Sequence, residues 1–206
     1  MPGRTKLVVG LGNPGREYAG TRHNIGFAVV ERFVQQHGGV FRRRLRLAAE
    51  VAELPVGDGF VLVAKPLTYM NRSGASVAAL LGWGKIEPPE MLVVVDDADL
   101  PLGRLRLRPS GGSGGHNGLR SVIESLGGCE DFPRLRVGIG RSKPLGEDIT
   151  EHVLGQFGPA ERALAENAVR LAAEVVECCL KEGLTTAMNR YNRKTALHNE
   201  REGEPV

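Results

Sequence analysis

Leu7-Val8-Val9-Gly10-Leu11-Gly12-Asn13-Pro14-Gly15 decides how this chain folds. The apolar run reads as a buried strand, and the glycines after it read as a loop leaving the strand's end. Rigid scaffolds place reactive groups on such loops. Gly10-x-Gly12-x-x-Gly15 is also a literal match to the dinucleotide-binding fingerprint. In that motif the last glycine opens a helix whose N-terminus holds a pyrophosphate. Here Arg16 to Asn24 intervene, with Gly20 and Thr21-Arg22-His23-Asn24 among them, before helical spacing begins. The acid expected about 20 residues on would be Glu31, which falls inside a helix. Nicotinamide binding therefore loses its context, and the glycines read instead as turning the chain to expose Asn13. What remains is one imidazole, two amides and a phenol in a single segment: Asn13, Tyr18, His23 and Asn24.

Outward from this loop, the pattern alternates strands with helices. Gly26 to Gln36 has helical spacing ended by Gly38-Gly39. Arg46 to Leu54 and Gly59 to Ala64 read as strands joined by a hairpin over residues 55–58. Ser73 to Leu81 reads as a short helix, and Met91 to Val95 as a central strand buried on both faces. Leu105 to Arg108 alternates like a half-wet strand. A Gly-rich loop, a helix over Leu119 to Leu126 and a strand over Leu135 to Ile139 follow. Ser142 to Phe157 reads as mixed loop, Pro159 to Glu182 as a long amphipathic helix, and Thr185 to Arg193 as a second one. The expectation is an α/β single domain over residues 1–194, with a twisted mixed, mostly parallel β-sheet and helices on both faces. Residues 195–206 read as a flexible polar tail.

The 206 residues are 41% hydrophobic and 25% charged, enough to bury a core. Net charge is only +3, so the clustering of arginine matters more: Arg42, Arg43, Arg44 and Arg46; Arg104, Arg106 and Arg108; Arg134, Arg136 and Arg141. Such clusters suit phosphate-bearing partners, or lie as solvated faces. Cys129, Cys178 and Cys179 are odd in number and lack ligand spacing, which speaks against structural zinc and for a reducing compartment. No apolar run approaches the roughly 20 residues of a membrane helix, and no signal region precedes the first strand. A cytoplasmic protein is expected.

Three further loops carry chemistry. Lys65-Pro66-Leu67-Thr68-Tyr69-Met70-Asn71 precedes a helix, which Thr68 or Asn71 could simply cap. Asp96-Asp97-Ala98-Asp99 ends the central strand. It could bind Mg²⁺, turn the chain, or orient a histidine. Ser110-Gly111-Gly112-Ser113-Gly114-Gly115-His116-Asn117-Gly118 is a linker or a loop allowing close backbone approach to a ligand; its His116 reads as structural. No serine sits in a nucleophile elbow. The inference is a histidine acting as general base on water, oriented by a carboxylate, with amides binding carbonyls and the oxyanion. The chemistry is hydrolysis of an activated acyl group whose leaving group carries phosphates.

These stretches, together with Phe132-x-Arg134-Leu135-Arg136-Val137-Gly138-Ile139-Gly140, resemble the bacterial peptidyl-tRNA hydrolase family over about two-thirds of the chain and in order. The resemblance implies a cytoplasmic, monomeric esterase that releases peptide from tRNA without metal or organic cofactor. It implies that His23 is the base, that Asp96 orients it, and that Asn13 distinguishes N-blocked esters. Tyr18, Tyr69, Met70, Asn71 and Asn117 then contact substrate, and Arg106 and Arg136 contact tRNA phosphates. Val95 and Ser113 stand where some members have histidine. The richness of the Arg42 to Arg46 cluster goes beyond the family pattern. The alternatives are a non-catalytic RNA-binding relative of the same fold and a nicotinamide oxidoreductase.

Overall fold

A computed structural model describes residues 6–56, 59–141 and 148–192. The tip of the 55–58 hairpin, the first part of the 142–157 loop and the 195–206 tail lie outside those residues. Seven strands form one sheet in the order β2-β3-β4-β1-β5-β7-β6. They are β1 (Leu7–Gly10), β2 (Arg42–Arg44), β3 (Ala49–Val56), β4 (Gly59–Pro66), β5 (Met91–Asp97), β6 (Leu105–Arg108) and β7 (Arg134–Gly138). Strands β4, β1, β5 and β7 pair in parallel at the centre, and β2, β3 and β6 add antiparallel edges. Every residue of β1 is buried and β5 is buried through Asp96, as central parallel strands covered on both faces require.

Helices α1 (Ile25–Gln36), α5 (Pro159–Lys181) and α6 (Leu184–Tyr191) cover one face. Helices α2 (Ser73–Gly84) and α3 (Asn117–Ser125) cover the other. A short helix α4 (Thr150–Leu154) lies in the stretch expected to be loop.

Two further expectations change. Arg46 to Ala48 are not strand: Leu45–Leu47 form a 3-10 turn, and Ala48 adopts a left-handed φ of 44°. The arginines before this turn form β2 instead, an edge strand with all three side chains exposed. Second, Gly15 is the only fingerprint glycine with positive φ, at 117°. Gly10 and Gly12 serve packing. A Cβ on Gly10 would strike the Gly26 carbonyl oxygen, and one on Gly12 would lie 2.8 Å from the Phe27 ring. Gly26 answers from α1, where a Cβ would sit 2.5 Å from both the Leu11 and Val94 oxygens. Helix α1 thus rests directly on backbone, and its entry point, which carries His23, is set by that contact.

Candidate active site

His23 occupies a 3-10 turn, Arg22–Asn24, leading into α1. The turn is tied down on both sides. Arg22 donates through its backbone N–H to the Gly155 carbonyl at 2.9 Å. Its guanidinium donates to the Gln156 carbonyl at 2.7 Å and pairs with Glu161 at 2.8 Å. Asn24 clamps the Gly-rich loop: its Oδ1 accepts from the Asn13 N–H at 2.8 Å and its Nδ2 donates to the Asn13 carbonyl at 2.9 Å. The loop therefore holds Asn13 and His23 in fixed relation.

Asp96 reaches this turn from the C-terminal end of β5 and is 3% exposed. Its Oδ1 lies 2.8 Å from His23 Nδ1 and 3.0 Å from His116 Nε2. Proton positions follow from the partners. His116 caps α3, and its Nδ1 accepts from the Gly118 and Leu119 N–H groups at 3.1 and 3.2 Å. The proton of neutral His116 is thus on Nε2, donated to Asp96. Burial alone would push the Asp96 carboxyl upward, but the hydrogen bonds of His116 and His23, with the rings' positive charge once they are protonated at acid pH, outweigh it and hold the group well below the usual carboxylate range. An ionised carboxylate only accepts, so His23 Nδ1 donates, and the neutral ring's lone pair is on Nε2. This is the tautomer a general base needs, with the carboxylate orienting the ring and steadying its protonated form.

Asp96 therefore titrates lower in the folded chain than in the unfolded one. Its contribution to stability is full above the ordinary carboxylate value of about 3.9 and is lost as pH falls below it. Asp96→Asn is expected to cost about 1.5–3 kcal/mol at pH 7, the worth of hydrogen bonds to a charged group. Urea unfolding of the two proteins should show that gap shrinking progressively below about pH 4. A gap that stays constant to pH 3 would contradict the ionised assignment.

The donor set is also that of a metal site in outline, since one ligand atom each from His23, Asp96 and His116 lies within 4.8 Å of the others. The proton positions do not fit an ion. Coordination through His116 Nε2 would move its proton to Nδ1, against two backbone N–H donors.

Asn13 Oδ1 accepts from the Met70 N–H at 2.8 Å, which fixes the amide's orientation. Its Nδ2 has no hydrogen-bond acceptor among the described residues and is not sealed from the surface. Met70 is buried beneath it, and a Cβ on Gly118 would lie 2.5 Å from its sulfur, so that glycine admits the thioether. Tyr18 and Tyr69 meet edge to face, centroids 6.3 Å apart. Asn71 and Asn117 are exposed on neighbouring elements, joined below by a Gly74 N–H to Ser121 Oγ bond of 3.0 Å. Neither Thr68 nor Asn71 caps α2, which has no side-chain cap.

Arg106 is exposed on β6, opposite Arg136 on β7. Arg136 is turned inward, donating to Asp97 Oδ2 at 3.3 Å and to the Gly112 and Ser113 carbonyls at 3.2 and 3.0 Å. Arg134, only 1% exposed, gives its donors to the carbonyls of Phe132, Glu130, Gly111 and Gly112. Both arginines thus hold the Gly-rich loop leading to His116 and Asn117. Beyond Asn13 and Asn24, a cavity of about 930 Å³ opens between α1 and α5, lined by Phe27, Glu31, Lys65 and Phe157 among others. His23 and Asp96 do not line it.

Two roles are not visible in the sequence. His116 reads there as structural, yet it shares the Asp96 carboxylate with His23; the signal is its position one residue before a helix. Asn24 stands out beside His23, but its reciprocal bonds to Asn13 are a tertiary fact.

A family model described as "Peptidyl-tRNA hydrolase" matches residues 7–199. A protein of that name from Synechococcus sp. (strain JA-3-3Ab) is 51% identical, covering 98% of this chain and 88% of its own length. One from Chloroflexus aurantiacus (strain ATCC 29366 / DSM 635 / J-10-fl) is 52% identical, covering 90% and 98%. The crystal structure of peptidyl-tRNA hydrolase from Acinetobacter baumannii superposes with a TM-score of 0.86 at 36% identity, covering 93% of this chain and 96% of that one.

Proposed function

This chain belongs to the peptidyl-tRNA hydrolase family and hydrolyses the ester bond of peptidyl-tRNA, and on that premise we propose that His23 is the general base of the reaction. Its Nε2 takes a proton from water as the water oxygen bonds to the ester carbonyl carbon. The carbonyl electrons move onto oxygen, where Asn13 Nδ2–H, with Asn71 and Asn117 at the rim, supplies donors. Collapse breaks the bond to the terminal ribose oxygen, which recovers the proton from the His23 imidazolium. Peptide acid and free tRNA leave. Asp96 holds the ring in the productive tautomer throughout, and His116 Nε2–H holds Asp96.

The single observation carrying this reading is the 2.8 Å His23–Asp96 contact with its proton positions fixed by His116. Tyr18, Tyr69 and Met70 form the wall against which substrate lies, and Arg106 offers an exposed charge for tRNA phosphate. The guanidinium of Arg136 is already engaged by Asp97 and by the Gly112 and Ser113 carbonyls, so a phosphate contact there is left to its remaining N–H donors. Metal independence rests on the donor geometry above. The packed layers support reading residues 1–194 as one hydrolytic domain. Among the described residues no helix is long and apolar enough to cross a membrane; the monomeric state and cytoplasmic location remain what the family resemblance implies. The test is hydrolysis of N-acetyl-aminoacyl-tRNA in excess EDTA, with free aminoacyl-tRNA alongside. Rapid release from the blocked substrate alone is expected. Loss of activity on chelation would overturn the metal-free mechanism, and equal rates would overturn the selection of N-blocked esters that the family resemblance assigns to Asn13, leaving its part as an oxyanion donor untouched.

A further inference from the structure

The edge of the sheet farthest from Arg106 carries a second concentration of positive charge. Arg42, Arg43 and Arg44 are the whole of β2, and Arg46 follows in the turn; all four are exposed. Arg44 makes a loose pair with Glu53 at 3.5 Å. The side chains of Arg42, Arg43 and Arg46 have no ion pair or hydrogen bond among the described residues. The nearby acid Glu50 is already held by Lys65 at 2.8 Å. Uncompensated charge of this density costs self-repulsion, which a phosphate backbone would relieve.

Register places this cluster relative to the catalytic centre. Arg44 pairs with Ala49, Ala49 pairs with Pro66, and β4 runs parallel to β1 with Ala64 beside Val9. Arg44 and the Leu45–Leu47 turn therefore stand at the same end of the strands as Asn13, the C-terminal end of β1 and β4. Bonds from Leu67 N–H to the Ala48 carbonyl at 2.7 Å and from Ser76 Oγ to the Leu47 carbonyl at 2.8 Å fix the turn to the segment that carries Tyr69 and Met70. Strand β2 is three strand spacings from β1, and β6 is two from β5. At about 4.8 Å each, the two basic edges lie about 29 Å apart across six spacings, with His23 and Asp96 between them.

We propose that the Arg42–Arg46 edge is a second tRNA-binding surface, gripping phosphates of the substrate's tRNA body while Arg106 contacts the opposite flank. The proposal rests on peptidyl-tRNA being the substrate. An electrostatic contact of this kind carries its own signature, because each neutralised phosphate steepens the dependence of log affinity on log salt by about 0.7–0.9. It also predicts dependence on substrate size, since an ester on the terminal CCA trinucleotide lacks the phosphates concerned.

The test combines Arg42→Ala, Arg43→Ala and Arg46→Ala in the full chain, with kcat and KM measured from about 50 to 200 mM KCl, the range in which phosphate contacts are felt most. On N-acetyl-aminoacyl-tRNA, KM at low salt should rise about tenfold with kcat unchanged, and the salt slope of kcat/KM should flatten by about 2. On the N-acetyl-aminoacyl-CCA ester both parameters should match wild type. The triple lysine replacement, which keeps the charge, should retain the wild-type slope. An unchanged slope with unchanged KM identifies a merely solvated face and overturns the proposal. So does equal damage on the short ester, or a lysine variant as impaired as the alanine one. Failure of the wild-type protein to hydrolyse either ester would instead overturn the functional reading, and the two failures are distinguishable.

Discussion

His23→Ala is expected to lower kcat on N-acetyl-aminoacyl-tRNA by about 10²–10⁴-fold, the usual worth of a positioned general base, while tRNA affinity stays within about twofold. The separation of the two effects follows from the geometry. His23 is 8% exposed, and one ring nitrogen is committed to Asp96. The ring therefore offers substrate one nitrogen and little surface. In the proposed binding mode the phosphates are met by arginines on the flanks of the sheet. Asp96 keeps its His116 donor in the variant, so the buried carboxylate is left half satisfied and not orphaned. Any loss of stability is modest beside the loss of rate. Single-turnover hydrolysis, paired with a filter-binding titration of deacylated tRNA, checks both halves. Wild-type hydrolysis by the variant would remove His23 from the mechanism, and parallel loss of binding would make it a substrate-holding group.

Much of this site is legible in the sequence because its parts sit where strands end. Val8-Val9 and Val93-Val94-Val95 announce buried strands, and Asn13 and Asp96 stand in the segments directly after them. The fold follows from the same alternation of apolar runs and helical spacing. Strand β2 does not show, because three consecutive arginines carry no period-2 pattern. An edge strand exposed on all three residues needs none, and its pairing with Ala49–Val51 supplies the order. Ala48 hides the turn after β2, since nothing about alanine signals a left-handed residue. His116 is hidden for a related reason. Its sequence neighbours show a capping position, but only tertiary structure brings its second nitrogen to a carboxylate twenty residues earlier. The fingerprint glycines are ambiguous too, because close approach between a helix and a strand selects the same residue type as a sharp turn.

The close approach of α1 to the sheet gives the largest expected effect on stability. Gly26 is the second residue of α1, and by helix propensity alone Gly26→Ala would gain up to about 1 kcal/mol. Packing opposes this more strongly. The new methyl group would sit 2.5 Å from the carbonyl oxygens of Leu11 and Val94 and 2.8 Å from the Leu11 nitrogen. None of these atoms belongs to a flexible side chain. The Val94 oxygen already accepts the Leu11 N–H at 3.0 Å, the bond that steers the chain out of β1 toward Asn13. Relief requires α1 to lift from the sheet or that bond to break. Overpacking of a well-filled core costs about 1–3 kcal/mol, and more where backbone must move. A net loss of at least about 2 kcal/mol is therefore expected, a large part of the roughly 5–15 kcal/mol that holds a domain together. Because the shifted atoms carry both Asn13 and His23, activity of the folded fraction should fall too. Urea unfolding with kcat measured below the transition tests both effects. A variant as stable as wild type would show that α1 does not rest on the β1–β5 backbone, and the placement of His23 would need another cause.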